Sequence, residues 1–260
     1  MKEERIDLFF VFCLAGLGER FTKAGINKPK YLLSYQDKET ILEKSLRSLN
    51  FGEKNKVIFC CNKKFIGYEP ALKEILIRSG LNSDLLYYEN TNGQAHTALL
   101  ASQYIEMNYP SEFSNIPIAF FNGDTILKKR NINTLSKKMS NSSGLIDCFL
   151  SEDKGYSFIR KGKNDNVVQI EEKKNISKLA TTGLYFFSNT ETYITGYSDF
   201  DHEQISSEIY ISNVYNNMIK NNMEIKYHLE EDPKNTIVLG TPEQYKNYLQ
   251  LKKRVSSEIL

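Results

Sequence analysis

The sequence predicts an α/β fold built around a largely parallel sheet, and three observations carry that reading. Apolar runs such as Leu8–Leu14, Val57–Cys61 and Ile118–Phe121 are uninterrupted, which suits strands buried on both faces. Segments with helical apolar spacing alternate with these runs over short connections, the pattern of βαβ units. A glycine-rich loop, Ala15–Phe21, leaves the first run at the place where ligands of open α/β sheets bind, beyond the carboxyl ends of the strands. With 260 residues, 40% of them hydrophobic and 25% charged, the chain can bury a substantial core. No repeat, low-complexity linker or domain boundary interrupts it. Residues 1–260 therefore read as one domain, its first half ending near residue 125 and its second beginning near 126.

In chain order, Leu8–Leu14 is the first strand and Tyr31–Tyr35 a short second one, followed by a turn at Gln36–Glu39. Thr40 with Glu43 forms a capping box, opening a helix whose apolar positions Ile41, Leu42, Leu46 and Leu49 share one face. Lys56–Cys61 is a strand, Glu69–Ser79 a helix stopped by Gly80, and Asp84–Tyr88 a strand. A polar loop leads into a helix over Ala95–Met107. Ile118–Phe121 is a buried strand and Ile132–Met139 a helix. The next portion is rich in strands: Leu145–Leu150, Tyr156–Arg160, Val167–Ile170 and Leu184–Phe187, with turns at Asp153–Gly155 and Lys163–Asn166. Apolar spacing at Ile205, Ile209, Tyr215, Met218 and Ile219 predicts a long helix over Glu203–Lys220. Glu224–Leu229 and Thr236–Leu239 are strands. Thr241-Pro242-Glu243-Gln244 starts a final helix, with Thr at the N-cap, Pro in the first turn and Gln three residues after Thr.

Charge and composition exclude several classes. With 34 Lys+Arg against 32 Asp+Glu the net charge is too small for a field that gathers nucleic acid or an anionic membrane. Lys128-Lys129-Arg130 and Lys173-Lys174 read as short solvated patches. No segment has the roughly 18–20 apolar residues of a membrane span, and Met1–Arg5 runs into the first strand without a cleavable signal pattern. The four cysteines, Cys13, Cys60, Cys61 and Cys148, all lie in apolar runs and read as reduced thiols of a cytoplasmic protein. The sequence leaves room for a homo-oligomer.

The loop after the first strand carries the chemistry. Gly16 and Gly18 let backbone N–H groups approach an anion or a flat base, and Arg20 and Lys30 add two positive charges at the same strand end. That combination reads as a polyphosphate site in a solvent-facing loop. A Gly-x-Gly turn alone is also an ordinary tight turn. Phe21 stands where the dinucleotide fingerprint needs its third Gly, and no Gly-Lys-Ser/Thr of a Walker loop follows. Asp124, after a buried strand and next to Gly123, is placed to hold a hard cation against phosphate oxygens, or else to cap the helix that follows.

Ala15-Gly16-Leu17-Gly18-Glu19-Arg20-Phe21 with Pro29-Lys30 resembles the signature of the nucleoside-diphosphate-sugar pyrophosphorylases, the sugar-phosphate nucleotidylyltransferases, departing at Glu19 where that family carries Thr or Ser. Gly93-Gln94-Ala95, Gly123-Asp124, Glu171-Glu172-Lys173 and Ala180-Thr181-Thr182-Gly183-Leu184-Tyr185-Phe186 follow in the family's order. The resemblance implies a Rossmann-like, GT-A-type three-layer sandwich with a mixed, mostly parallel central sheet. It implies that an NTP and a sugar or polyol phosphate yield pyrophosphate and an activated product for surface polysaccharide. Arg20 and Lys30 would be catalytic, and Leu14, Ala15, Gly16, Gly18 and Gly93 would hold the nucleotide. Glu89 and Asn90 stand beside Tyr88, which replaces the family's Gln. They can accept a hydrogen bond from an exocyclic amine and so favour CTP over UTP or dTTP. Gly155, Glu172, Lys173, Thr182 and Glu208 would hold the acceptor, and Asp124 would bind Mg²⁺. The family's second metal-binding Asp is Val238 here, which leaves Asp124 as the single carboxylate, Asp232 being a distant substitute. Three other readings stand beside this one. A GT-A glycosyltransferase would carry Asp-x-Asp where Asn122-Gly123-Asp124 stands. A cytidylyltransferase would act on a choline or glycerol phosphate. A non-catalytic nucleotide-binding protein would release no pyrophosphate.

Overall fold

Strand β1 (Leu8–Leu14) lies at the centre of a nine-stranded sheet. The computed structural model describes residues 5–36, 39–139, 141–199 and 208–257. Alternate β1 side chains enter two different cores. Phe9 and Val11 join one, while Leu8, Phe10, Phe12 and Leu14 join the other. Period-two alternation with both faces buried is what an uninterrupted apolar strand requires. β1 pairs in parallel with β4 (Asn55–Asn62) on one side and β6 (Ile118–Phe121) on the other, and β5 (Ser83–Tyr88) extends the parallel set beyond β4. Short β2 (Ser34–Gln36) and β3 (Glu39–Thr40) form a separate antiparallel ribbon. The predicted turn residues Asp37 and Lys38 lie outside the described residues.

The sheet continues past β6 in mixed fashion. β11 (Leu179–Phe187) lies antiparallel to β6, to β8 (Gly144–Leu150) and to β9 (Ser157–Lys161). β10 (Val167–Glu172) is antiparallel to β9, and β12 (Ile225–Glu230) is parallel to β8. Only β10 and β11 therefore run against the common direction. Outside this sheet, β7 (Thr125–Leu127) pairs antiparallel with β13 (Thr236–Val238).

Helices cover both faces. α2 (Ile41–Leu49), α3 (Glu69–Ser79) and α5 (Ile132–Lys138) pack into the core that holds Phe10 and Phe12. α4 (Gly93–Asn108), α6 (Thr190–Ser198) and α7 (Ile211–Lys220) pack into the core that holds Phe9 and Val11. This is the expected three-layer sandwich. A short α1 (Glu19–Lys23) follows β1, and α8 (Pro242–Ser257) buries Tyr245 and Tyr248 against Phe21 and Tyr35. Both predicted reciprocal caps form: Thr40 with Glu43 on α2, and Thr241 with Gln244 on α8. No helix among the described residues is long and apolar enough to cross a membrane. Cys60, Cys61 and Cys148 are buried and all four cysteines are free thiols.

Four expectations are corrected. Residues Lys30–Leu32 form a single 3-10 turn, so the second strand starts only at Ser34. Strand β10 runs past the predicted end at Ile170 to Glu172, placing Glu171 and Glu172 on the strand. The long helix predicted from Glu203 begins at Ile211. Its proposed start, 203–207 with Ile205, lies outside the described residues, and 208–210 is not helical. Arg130 is not solvated but 2% exposed. Its guanidinium donates to the carbonyls of Asn235 (2.9 Å) and Lys128 (3.1 Å) and to the Thr236 hydroxyl (2.8 Å), and lies 3.4 Å from the fully buried Asp147 carboxylate.

Removing one member of a buried ion pair strands the other. Arg130→Ala should therefore lower the unfolding free energy by about 3–5 kcal/mol, whereas Lys128→Ala, on the exposed neighbour, should stay within about 0.5 kcal/mol. Chemical denaturation of the two variants side by side checks this; equal stabilities would contradict the buried pair.

Candidate active site

The sheet opens at the end of β6. One edge of β11 is shared: Leu184–Phe187 pair with β6, while Ala180 pairs with Phe158 of β9. The register breaks between Thr181 and Tyr185. Gly183 sits there at φ +84°, and a Cβ on it would come within 2.9 Å of the Asn122 amide nitrogen. A second left-handed glycine, Gly123 (φ +68°), turns the chain after β6, where a Cβ would strike Leu14 at 2.8 Å. These two bends leave a cleft of about 960 Å³ over the strand ends.

One wall of the cleft is the loop after β1, contributing Leu14, Ala15, Gly16, Gly18 and Arg20, together with Lys30. Gly18 caps α1 at φ +66°, a conformation open to glycine at little cost. Gly16 is different, since a Cβ there would meet nothing within 4 Å. The fold leaves that space open on the cleft side. Asn62, buried at the end of β4, donates to the carbonyls of Ala15 and Glu89 and so ties the loops after β1 and β5 together. The sequence reading missed it, because a lone Asn at a strand end carries no pattern.

Asp124 lies at the cleft floor. Its Oδ2 receives Lys30 Nζ at 2.5 Å, its Oδ1 lies 3.3 Å from the Thr125 hydroxyl, and its carbonyl accepts Leu239 N–H at 2.8 Å. It does not cap α5, which is capped by Asn131. Lys30, expected in a solvent-facing loop, is thus held in an ion pair. Arg20 is exposed and forms no ion pair among the described residues. Val238 lines the cleft beside Asp124, paired with Thr125 across β13 and β7. Asp232 is exposed, away from the cleft lining, and caps the turn at Lys234. Among the described residues no group of three or more His, Cys, Asp or Glu is placed to hold a metal. A single carboxylate with oxygen donors fits a hard cation that arrives with its own phosphate ligands.

The opposite wall carries Gly155, Glu172, Lys173, Thr182 and Glu208. The Glu172 carboxylate accepts the hydroxyls of Ser157 and of Ser212, the latter at 3.1 Å. Lys173 turns at φ +54°, directs Nζ to the Tyr210 hydroxyl at 2.7 Å and lies 4.5 Å from that ring's centre. Tyr210 in turn donates to Glu208 at 2.8 Å. Burial lowers the pKa of Lys173, but the Tyr210 hydrogen bond and the charge of Glu172 outweigh it and the net shift is upward, against a smaller opposing push from Arg20. Lys173 therefore remains a cation at neutral pH, within electrostatic reach of Arg20.

Glu89 and Asn90 do not line the cleft. Both are exposed, and Glu89 faces Lys63 at 3.2 Å. The loop's contribution is instead Thr91, Gly93 and Gln94, and the Gln94 side-chain nitrogen is buried without a hydrogen-bond partner. Among the described residues no histidine lines the cleft. Burial raises the Cys13 thiol and the Tyr185 and Tyr210 phenols, and pushes Tyr156 up to about 12 with help from Asp153 and Asp124. The described residues of the cleft offer cations and hydrogen bonds.

The sequence profile of the nucleotidyl transferase family matches residues 13–237. The chain is a nucleotidyl transferase. Among solved structures, the transferase is similar to a nucleoside-diphosphate-sugar pyrophosphorylase from Vibrio cholerae RC9, with 26% identity and a TM-score of 0.81 over 93% of this chain and 99% of that one. It shares its fold with the inositol-1-phosphate CTP transferase from T. maritima (16% identity, TM-score 0.69, 95% and 96% covered). It also shares it with a UDP-glucose pyrophosphorylase complexed with UDP-glucose (17%, 0.72, 96% and 99%). No curated protein matches the transferase in sequence.

The loop before α4 and the wall that carries Glu208 are joined through Gly93. Ile209 N–H donates to Asn92 O at 3.2 Å, and Ala95 N–H donates to Ile209 O at 3.1 Å. Gly93 has φ +86°, and a Cβ on it would lie 2.5 Å from Ile209 O. This close approach is why residues 208–210 are extended. Gly93→Ala should cost about 1–3 kcal/mol of stability through strain and overpacking and should speed hydrogen exchange at the amides of Ile209 and Ala95. Wild-type protection at both amides would show that the contact is not needed.

Proposed function

We propose that the protein joins an NTP to a sugar phosphate or polyol phosphate, releasing pyrophosphate. The observation that carries this reading is the meeting, in one cleft, of Arg20, Lys30 and Asp124 on one side with Glu172 and Lys173 on the other. The likeness to the Vibrio cholerae pyrophosphorylase over nearly all of both chains supports it.

The chemistry needs little from protein acids and bases. The acceptor's phosphate oxygen is already anionic at neutral pH, attacks the α-phosphorus in line, and expels pyrophosphate as the bond to the bridging oxygen breaks. The barrier is the approach of two anions and the charge that grows on the leaving group. Catalysis is then positioning and cationic stabilisation. Arg20 neutralises the β,γ-phosphates, Lys30 turns from Asp124 to the α-phosphate, and Lys173 holds the incoming phosphate. Asp124 together with phosphate oxygens would hold Mg²⁺, which supplies further neutralisation of the triphosphate. With the expected CTP contacts Glu89 and Asn90 outside the cleft lining, Thr91 and Gln94 are the polar side chains of that loop in the lining, and of these Gln94 has a side-chain nitrogen without a partner to offer the base. CTP is kept as a candidate by the fold shared with the T. maritima CTP transferase.

Pyrophosphate release with each of the four NTPs against a panel of sugar, polyol, glycerol and choline phosphates tests the reading. Release with a sugar or inositol phosphate supports it. Release with choline phosphate alone would give the cytidylyltransferase reading, and no release at all would leave a nucleotide-binding protein. Arg20→Ala and Lys30→Ala should each lower turnover at least ~100-fold, the scale of a lost electrostatic donor. Arg20→Ala should leave the melting temperature unchanged. Asp124→Asn should remove most of the activity. A fully active variant at any of the three positions would remove that residue from the mechanism.

A further inference from the structure

The buried carboxylate of Asp147 has no part in the transfer chemistry described above, yet it touches the acceptor wall. It lies on β8 with no exposure, and its two oxygens have separate partners. Oδ1 faces Nδ1 of His228, on β12, at 2.7 Å, and Oδ2 accepts the hydroxyl of Thr182, on β11, at 2.8 Å. Arg130 Nε stands 3.4 Å from Oδ2 and has no hydrogen bond of its own. The guanidinium is anchored to Asn235 and Thr236 at the start of β13, and Glu230 lies 3.8 Å from it. Three separate segments, β11, β12 and the turn carrying Arg130, therefore meet at this one carboxylate.

Thr182 is the member of the cluster that lines the cleft. A hydroxyl has one proton and two lone pairs, and a carboxylate only accepts. The Thr182 proton is therefore committed to Asp147. The Leu184 N–H, 3.3 Å from Thr182 Oγ1, takes up part of the acceptor capacity. What the side chain retains for a ligand is a single acceptor site. A hydroxyl of the ligand can donate to it. A phosphate dianion, which only accepts, and a quaternary ammonium, which has no N–H, cannot.

We propose that Asp147 is a positioning residue that holds the Thr182 hydroxyl as a hydrogen-bond acceptor, so that the acceptor wall selects phosphorylated compounds bearing a free hydroxyl. This rests on the function proposed above and narrows it to sugar, polyol and glycerol phosphates over phosphocholine. A site built to bond a hydroxyl discriminates against ligands lacking one, because its own buried polar group is then left unpaired.

Calorimetric titration reads the selection without turnover. Glucose 1-phosphate, inositol 1-phosphate, glycerol 3-phosphate and phosphocholine are titrated into the full chain with Mg²⁺ and the α,β-methylene analogue of CTP or UTP. At least one hydroxylated phosphate should bind tenfold or more tightly than phosphocholine. Thr182→Val should weaken that compound about tenfold or more, leave phosphocholine and nucleotide-analogue binding unchanged, and be rescued by Thr182→Ser. Asp147→Asn should show the same selective loss, since its amide can donate to Thr182 and turn the hydroxyl proton away. Thr182→Val leaves Asp147 with Arg130 and His228, so it decides the matter if Asp147→Asn does not fold. The inference is overturned if phosphocholine binds as tightly as the best hydroxylated compound, if Thr182→Val binds like wild type, if it weakens all four compounds equally, or if wild type binds none of them. The expected binding pattern without pyrophosphate release would overturn the transfer reaction and leave the selection at Thr182 standing.

Discussion

The cleft depends on one edge of β11 being shared between two strands. β6 stops at Phe121 and β9 takes up the pairing only at Ala180, so the sheet has a gap with strand ends on both sides. Unpaired backbone groups in such a gap must turn toward solvent or ligand, and the left-handed glycines Gly123 and Gly183 allow the turn without side-chain collision. The wall with Arg20 and Lys30 and the wall with Glu172 and Lys173 are two sides of that gap. β1, behind one wall, and β11, between the two, have side chains buried on both faces.

The cations of the cleft are held in three different ways. Lys30 is paired with Asp124, Lys173 rests on Tyr210, and Arg20 is exposed without an ion pair among the described residues. Exposed charges are screened by salt and contribute little to stability, so Arg20 is suited to meeting an anion rather than holding the fold together. The Lys30–Asp124 pair avoids leaving a lone, largely buried carboxylate before a ligand arrives. The Arg130–Asp147 pair lies deeper and has more partners, which suits it to fixing a wall.

What could be read from the sequence was local. The run Leu8–Leu14, the caps at Thr40 and Thr241, and the acid after Ile118–Phe121 are each specified by neighbours a few positions away, and the structure places them as expected. Apart from the local 3-10 turn at Lys30–Leu32, the misread elements have distant partners. Arg130 sits in a basic triplet that looks solvated, but the groups that bury it are Asp147, Asn235 and Thr236. The apolar spacing through Ile209 resembles a helix, yet its backbone bonds to Asn92 and Ala95 hold 208–210 extended. The strand expected over Val167–Ile170 stops short of Glu171 and Glu172 because charged residues are uncommon in strands; β10 accommodates them because it lies at the sheet edge, with Glu172 held by Ser157 and Ser212. Glu89 and Asn90, expected near the base because they stand beside Tyr88 and can accept a hydrogen bond, lie outside the cleft lining, with Glu89 facing Lys63.

The replacement of a second acid by Val238 is consistent with its surroundings. Val238 packs with Phe149 and Phe158, between Ile237, which joins the Tyr245 cluster, and the fully buried Leu239. A carboxylate at 238 would join Asp124 at a floor whose nearest cation, Lys30, is already engaged. Two anions there would repel one another unless a divalent ion were permanently bound between them. With valine in place, Lys30 and Asp124 balance each other without any ion. In the proposed reaction a cation need come only with the triphosphate: Lys30 would pass from Asp124 to a phosphate oxygen, and Asp124 would then be free to help hold that cation. Each charge then keeps a partner of opposite sign before and after the exchange, so binding need not expose an unpaired charge at the cleft floor.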